Sequence, residues 1–183
     1  MVSKIFSLTL LICLSPILLI VTIAIIVDDG FPILFKQKRV GQNNAHFWIY
    51  KFRTMKKGIP DIPTHLVDRN QQLYTRSGPL LRKFSIDELP QLINIYKGEM
   101  SFIGPRPALY NQDDLADLRI EVGVHTLMPG VTGWAQVNGR DELSIPDKVK
   151  MDTYYLENKS LWLDIKILFL TVLKVFKTEG VSH

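Results

Sequence analysis

The stretch IFSLTLLICLSPILLIVTIAIIV, residues 5–27, contains no charged side chain over 23 consecutive positions. As a helix it would be about 34 Å long, close to the thickness of the apolar layer of a bilayer. A cleaved signal peptide fits less well, because the run is longer than a typical signal core and no small-x-small cleavage site follows it. The sequence therefore predicts a membrane-bound protein whose fold starts from this segment.

A Ser-Pro pair, Ser15 and Pro16, interrupts the run near its centre. Proline lacks a backbone donor and clashes with the carbonyl one turn earlier, and the serine hydroxyl can bond a carbonyl that the break sets free. Two topologies stay open: a single kinked span, and a re-entrant helix-break-helix that enters and leaves on one side. Direction is not decided by charge, because basic residues flank both ends. They are Lys4, Lys36, Lys38 and Arg39.

The composition suits one domain that is drawn to anions. The chain has 183 residues, a formal net charge of +4 and a pI near 9.1. Nucleic acid, anionic lipid and phosphorylated small molecules all attract such a protein. The single cysteine, Cys13, excludes a disulfide framework and favours a reducing compartment. The four histidines have no metal-ligand spacing, and neither a P-loop nor a G-x-G-x-x-G motif occurs, which argues against zinc and common nucleotide sites.

The remaining chain predicts short elements, mostly helical. The last helix carries the polar residues Asp164, Thr171 and Lys174 on one stripe, which suits either a helix lying at a membrane surface or ordinary core packing. The fold class is therefore mainly α with a small β element (α+β). The predicted elements are extended segments in 31–42 and 46–55 around a turn at 41–44, a loop at 58–63, helices at 64–78, 113–123, 147–157 and 161–180, and a hairpin at 129–140.

Two adjacent acids stand out in FSIDELPQLINIY, residues 84–96. Asp87 is predicted to cap a helix with Pro90 in its first turn, which leaves four apolar residues on one face. A helix start also concentrates positive charge, and phosphates bind there, so a carboxylate at that position can face a bound phosphorus. Capping and chemistry stay open for Asp87. The four apolar residues are Leu89, Leu92, Ile93 and Tyr96.

Two arginines and a further acid are candidates for the same site. Arg106 lies between two prolines, whose restricted backbone would present its guanidinium for bidentate phosphate binding. Its alternative is a surface arginine in a tight turn. Arg82 is a second phosphate ligand or an ordinary charge on a helix face, and Asp152 is either a buried, paired acid or a solvated one.

Four motifs follow the apolar N-terminus in a fixed order: KFRTM (51–55), LRKFSIDELPQL (81–92), GEMSFIGPRP (98–107) and PGVTGWAQVNGR (129–140). Together with the Ser-Pro break they resemble the bacterial sugar transferases known as monotopic phosphoglycosyl transferases, in their small form. The resemblance covers residues 5 to 180. It departs slightly at Ile86, where leucine is usual, and is weaker over residues 140–150.

The resemblance implies transfer of a sugar-1-phosphate from a UDP-sugar to undecaprenyl phosphate, with Mg²⁺ and release of UMP. The sugar would be N-acetylated or a deoxyamino sugar, and the step would be the first membrane step of bacterial glycoconjugate biosynthesis. Asp87 would be the nucleophile that forms a phosphosugar-aspartate. Glu88 would assist as a base or through the metal, which both acids would bind, while Arg82 and Arg106 hold the phosphates. Further implied site residues are Lys51, Gln136, Arg140 and Asp152.

The resemblance also implies a re-entrant membrane hairpin over residues 1–35, with its break at Ser15 and Pro16. Residues 36–183 would form a catalytic domain with interfacial amphipathic helices on the cytoplasmic face of the bacterial inner membrane. Its partners would be the UDP-sugar, undecaprenyl phosphate and membrane lipid, without nucleic acid, and a homo-oligomer is compatible. Two alternatives are a membrane-bound glycosyltransferase that releases UDP and a non-catalytic membrane-anchored scaffold.

Overall fold

The computed structural model of the protein describes residues 2–58, 73–139 and 143–177. In these ranges helices dominate and the two sheets are small, which confirms the mainly helical α+β class. The helices are α1 Val2–Cys13, α2 Ser15–Asp29, α3 Gly78–Lys83, α4 Gln91–Lys97, α5 Asp113–Glu121, α6 Trp134–Val137, α7 Ile145–Asn158 and α8 Leu161–Lys177. The strands are β1 Leu34–Val40, β2 His46–Phe52, β3 Ser101–Ile103 and β4 Gly130–Thr132.

The apolar N-terminus forms two helices that meet at an angle of 61°. Pro16 lies in the first turn of α2, and the Ser15 hydroxyl donates to the carbonyl of Ile12 at 2.7 Å. The predicted helix break is therefore confirmed at this pair. Among the described helices, none is long and apolar enough to cross a bilayer alone, but α1 and α2 together have the length and composition to do so.

The strands β1 and β2 form an antiparallel hairpin around a 3₁₀ turn at Gln42–Asn44, as predicted. Its buried residues Phe47 and Ile49 pack with residues of α4 against the inner side of α1. Phe52 packs in the same way against Val21 and Ile25 of α2. The bent N-terminal helix pair therefore shares its cores with the rest of the chain, and burial of apolar surface fixes their relative position.

The predicted hairpin over residues 129–140 is wrong. β4 pairs in parallel with the distant β3, and the short helix α6 follows it. The two backbone segments approach so closely that a Cβ at Gly130 would lie 2.1 Å from the backbone nitrogen of Gly104. Gly130 serves this close approach and not a tight turn, which a local pattern does not distinguish.

The helices predicted at 113–123 and 147–157 are confirmed as α5 and α7. The Ser144 hydroxyl caps α7 by accepting the N–H of Asp147 at 3.2 Å. Residues 59–72 lie outside the described part of the chain, so the loop at 58–63 and most of the helix at 64–78 stay predictions. The end of that predicted helix is wrong, because Tyr74 pairs with Met55 in an antiparallel bridge.

The polar stripe of α8 is oriented differently from that of a helix lying on a membrane surface, where the polar residues face the lipid head groups. Asp164 accepts a hydrogen bond from the Tyr155 hydroxyl at 2.7 Å, and the Thr171 and Thr132 hydroxyls lie 2.7 Å apart. The polar stripe therefore faces the protein. The outer face is apolar and exposed, and consists of Leu161, Trp162, Ile165, Leu168, Phe169, Val172 and Leu173.

Candidate active site

Asp87 lies in a short 3₁₀ turn, Ile86–Glu88, between α3 and α4. Ser85 adopts a left-handed conformation with φ 54° and redirects the chain after α3. Pro90 occupies the N-cap position of α4, and no side chain caps this helix. The prediction that Asp87 is an N-cap is therefore wrong, because the chain turns once more before α4 begins.

The face predicted for this helix is also only partly correct. Leu92 is buried as expected, but Tyr96 is exposed, and the inner face is completed by the polar residues Gln91 and Asn94. Asn94 is fully buried, and its amide accepts the N–H of Tyr50 and donates to the carbonyl of Trp48. Hydrogen bonds to β2 thus add to the apolar packing and hold α4 beside the strand that carries Lys51.

Asp87 is a nearly buried carboxyl, with 8% of its surface exposed. Burial raises the pKa of Asp87 above its ordinary value, and the neighbouring carboxylate of Glu88 raises it further. Three cations act in the opposite direction and favour the ionised form. They are Lys51, Arg82 and Arg106, which reach the acid from three separate elements.

Glu88 forms ion pairs with a residue of β2 and with a residue of the loop that follows β3. Its Oε1 lies 2.7 Å from Nζ of Lys51 and 3.4 Å from Nη1 of Arg106. Burial lowers the pKa of Lys51, while the Glu88 charge opposes that shift. The ion pairs therefore hold Lys51 and Arg106 beside the acidic pair, because the charge of Glu88 offsets the free-energy cost of removing these cations from water.

Arg82 is held at the opposite side by groups outside the acidic pair. Its Nε donates to Thr54 Oγ1 at 2.9 Å, and its guanidinium lies 5.0 Å from the ring centre of Tyr74. This arrangement brings together Asp87, Glu88, Lys51, Arg82 and Arg106, five of the residues singled out in the sequence.

The loop that presents Arg106 is fixed through its own backbone. The carbonyl of Pro105 accepts from Gly130 N–H at 3.0 Å, and that of Arg106 accepts from Nη1 of Arg119 at 2.9 Å. The carbonyl of Pro107 accepts from Arg39 at 3.1 Å. Three successive carbonyls are thus held, which adds to the stiffness that the prolines already give.

Asp152 supports this loop from behind. It is 1% exposed, and its Oδ2 accepts from Nε and Nη2 of Arg119 at 3.1 and 2.6 Å. Asp152 therefore reaches the site through Arg119, which sequence reasoning missed. The signal was present, because Arg119 follows the buried Leu115 by four residues and so lies on the inner face of α5.

Gln136 lines a cavity of about 180 Å³ whose wall also includes Glu88 and Arg106. Its amide oxygen and nitrogen are buried, and neither has a hydrogen-bond partner in the described ranges. The structure thus places Gln136 near the acidic pair. Arg140 lies outside the described residues, so its assignment stays a prediction.

Asp87 and Glu88 are the residues that could hold a magnesium ion. Within residues 2–58, 73–139 and 143–177 no group of three histidine, cysteine or acidic side chains could bind a metal. Mg²⁺ commonly binds proteins through one or two carboxylates and takes its other ligands from substrate phosphates and water. The adjacent acids fit that mode of binding, beside cations suited to phosphate.

A profile of the bacterial sugar transferases matches residues 1–178. The chain belongs to this family. The uncharacterized sugar transferase EpsL of Bacillus subtilis is 42% identical and aligns with 99% of this chain and 90% of its own length. An undecaprenyl-phosphate glucose phosphotransferase of Komagataeibacter xylinus is 43% identical over 91% of the chain. An undecaprenyl-phosphate N-acetylgalactosaminephosphotransferase of Aeromonas hydrophila is 39% identical over the same share.

The lengths of these relatives differ. The chain spans 33% of the Komagataeibacter protein and 40% of the Aeromonas protein, both of which are named for a specific sugar. It spans nearly all of the Bacillus protein. In each of the three relatives, the similar region aligns with at least 91% of this chain.

Proposed function

We propose that this sugar transferase moves a sugar-1-phosphate from a UDP-sugar to undecaprenyl phosphate and releases UMP. The observation that carries the proposal is a buried carboxyl, Asp87, with three cations around it and a second acid beside it. Such a site suits a substrate with several negative charges whose phosphorus is attacked by the carboxylate. The names of the Komagataeibacter and Aeromonas relatives support the same class of acceptor and reaction.

The reaction would proceed in two displacements. In the first, a carboxylate oxygen of Asp87 attacks the phosphorus that carries the sugar, and the bond from that phosphorus to the bridging oxygen breaks, so UMP leaves. In the second, a phosphate oxygen of undecaprenyl phosphate attacks the same phosphorus and the carboxylate of Asp87 is released. The product is an undecaprenyl-diphosphate sugar, and the enzyme returns to its starting state.

The electrostatics of the site fit this role for Asp87. Burial raises the pKa of its carboxyl, and a more basic carboxylate is a better nucleophile. The three cations oppose the shift and favour the ionised form that attack requires. Arg82 and Arg106 would also offset charge that develops on the departing UMP.

Mg²⁺ bound by Asp87 and Glu88 would neutralise charge on the donor phosphates. Glu88 has a second role that needs no metal: its ion pairs hold Lys51 and Arg106 in place. The donor sugar is proposed to be N-acetylated or a deoxyamino sugar. Relatives named for N-acetylgalactosamine and for glucose make both donors necessary members of any panel.

The setting would be the cytoplasmic face of the inner membrane. α1 and α2 would enter and leave one leaflet, and the exposed apolar face of α8 would rest on the same surface. A water-soluble donor and the phosphate of a lipid acceptor would then meet at head-group level.

The test is turnover by the purified protein with Mg²⁺, undecaprenyl phosphate and a panel of UDP-sugars, with UMP and UDP assayed separately. We expect UMP from one donor and a loss of at least a thousandfold in Asp87→Asn. Asp113→Asn, at an exposed position on α5, is the matched control and should keep full activity. UDP as the product would indicate a glycosyltransferase. Unchanged turnover in Asp87→Asn would contradict the mechanism.

The covalent step has its own measurement. Protein incubated with donor and Mg²⁺ but without acceptor should gain the mass of one sugar phosphate on a peptide that contains Asp87. The same protein should exchange labelled UMP into the UDP-sugar, since the first displacement is reversible. Absence of exchange in an enzyme that turns over would point to direct transfer between the two substrates.

A further inference from the structure

The cavity beside Gln136 lies between α4, β4 and α8, and is called the α4–α8 cavity. Most of its wall is aliphatic. The apolar lining residues are Leu89, Leu92, Phe102, Val131, Val137 and Val175. Its polar lining includes Glu88 and Arg106, and Glu88 follows the candidate nucleophile Asp87 directly in the chain.

The net positive charge of the polar lining residues favours an anion in the cavity. Lys83 and Lys174 line the cavity together with Arg106, against the single carboxylate of Glu88. In the part of the chain that the structure describes, neither lysine forms an ion pair. Two lysines without an ion pair among the described residues, on the wall of a mostly aliphatic cavity, match a molecule with a phosphate at one end and a hydrocarbon body.

The surroundings of the cavity are continuous with the surfaces that would face lipid. One wall is α8, whose opposite face is apolar and exposed. Another wall residue, Phe102, packs edge-to-face on the exposed Phe6 of α1 at 5.3 Å between ring centres. A hydrocarbon chain could therefore pass from the bilayer to the reaction centre without crossing water.

Gln136 adds a second observation that points to a ligand. It lies on the wall of the cavity, and both of its amide atoms are buried without a partner in the described ranges. Buried amides without partners are rare in folded proteins, because nothing repays their desolvation. A rotation of this side chain would let its nitrogen donate to a phosphate oxygen.

We propose that the α4–α8 cavity binds the phosphate and the first isoprene units of the lipid acceptor. The inference rests on the proposed function and assigns the place of one of its two substrates. Lys83, Lys174 and Gln136 would bind the phosphate, and the aliphatic wall would hold the hydrocarbon. The donor would then approach Asp87 from the side of Arg82.

The test separates the two half-reactions. Val175→Phe would fill the cavity from the last turns of α8, and Val172→Phe makes the same change on the exposed face of that helix as a matched control. We expect the KM for undecaprenyl phosphate to rise about tenfold in Val175→Phe, with exchange of UMP into the UDP-sugar unchanged. Gln136→Leu should show the same split, and Val172→Phe should change neither quantity.

A binding measurement without turnover tests the cavity assignment separately from the reaction mechanism. Native mass spectrometry of the detergent-solubilised protein with undecaprenyl phosphate alone should show binding that weakens about tenfold in Val175→Phe and not in Val172→Phe. Equal binding by all three proteins would overturn the cavity assignment. So would slower exchange and a raised KM for the UDP-sugar in Val175→Phe, since the cavity would then hold the donor. Failure of exchange in the wild type would concern the covalent mechanism alone.

Discussion

At the scale of single residues, the site depends on how much positive charge surrounds one buried carboxyl. Burial raises the pKa of Asp87 and so disfavours its ionised form. The largest opposing influence is Lys51, ahead of Arg82 and Arg106. Burial lowers the pKa of Lys51 itself, and the charge of Glu88, whose Oε1 lies 2.7 Å from its Nζ, opposes that shift. Among the three cations, Lys51 therefore favours the ionised form of Asp87 most strongly.

We expect Lys51→Met to move the acid limb of the pH profile of kcat/KM to higher pH. Loss of the cation removes an influence that lowers the pKa of Asp87, so its carboxyl would ionise at a higher pH than in the wild type. The measurement is UMP release between pH 5 and 9, where the limb is the rising part of the curve. Lys36→Met, on the exposed side of β1, is the matched control. An acid limb at the wild-type position in Lys51→Met would show that Lys51 does not act on the nucleophile.

The sequence predicted these residues better than it predicted their geometry. Asp87 and Glu88 were recognised because paired acids before a proline form part of a specific motif. The cap assignment failed because Ser85 takes a left-handed conformation, which nothing local requires of a serine. Arg119 was missed because its partners, Asp152 and the Arg106 carbonyl, come from elements 33 and 13 residues away.

At the scale of elements, α5 and α7 act as a support for the loop of Arg106. Asp152 of α7 holds Arg119 of α5, and Arg119 donates to the Arg106 carbonyl. Burial of the Arg119–Asp152 ion pair has a desolvation cost, which the hydrogen bonds of the planar Arg119 guanidinium offset. A lysine ammonium cannot form these bonds with the same geometry. Arg119 is therefore a positioning residue and not a catalytic one.

We expect Arg119→Lys to lower kcat/KM for the donor about tenfold, because the loop would present Arg106 less rigidly. The loss of a hydrogen bond would also reduce the free energy of unfolding by about 1 kcal/mol. A double-mutant cycle with Arg106→Ala separates these effects: in that background Arg119→Lys should cost little further activity but the same stability. Arg76→Lys, at an exposed position, is the control. Additive losses of activity would reduce Arg119 to a structural role.

The break between α1 and α2 is the second feature at this scale. Pro16 prevents a continuous helix, and Ser15 satisfies a carbonyl at the bend. We expect Pro16→Leu to straighten the pair, so that the chain crosses the membrane and its N-terminus lies opposite the catalytic part. Protease access to an N-terminal tag in inside-out vesicles would measure this, with Ile17→Leu as the control. The same access in Pro16→Leu and wild type would show that the bend does not depend on the proline.

Long-range pairing limited what the sequence could say about elements. The hairpin of β1 and β2 was predictable because its strands are neighbours joined by a short turn. The parallel pair of β3 and β4 was not, because 26 residues lie between the strands and the glycines serve a close approach of backbones. The inward stripe of α8 was ambiguous for a similar reason, since its partners Tyr155 and Thr132 belong to other elements.

At the scale of the whole molecule, α1, α2 and α8 all expose apolar side chains, which fits the proposed setting at a bilayer. The helix pair shares its core with the elements that carry the candidate site, so the proposed anchor packs directly against them. The inner face of α8 lines the α4–α8 cavity, and its outer face is apolar and exposed. Contact of this outer face with lipid would place the cavity at the depth of the acceptor phosphate.

Phe169 lies on the outer face of α8, and 62% of its surface is exposed. We expect Phe169→Glu to leave the protein in the membrane, because α1 and α2 still anchor it. Transfer to undecaprenyl phosphate in lipid vesicles should fall about tenfold or more, since burial of a phenylalanine side chain in lipid contributes about 2 kcal/mol. Exchange of UMP into the UDP-sugar, which needs no lipid substrate, should keep its wild-type rate in the same vesicles. Val122→Glu, on an exposed part of the chain next to α5, controls for the added charge. A parallel fall of exchange and transfer would mean that the substitution disturbs the site itself, and α8 would then support the fold without setting its depth in the membrane.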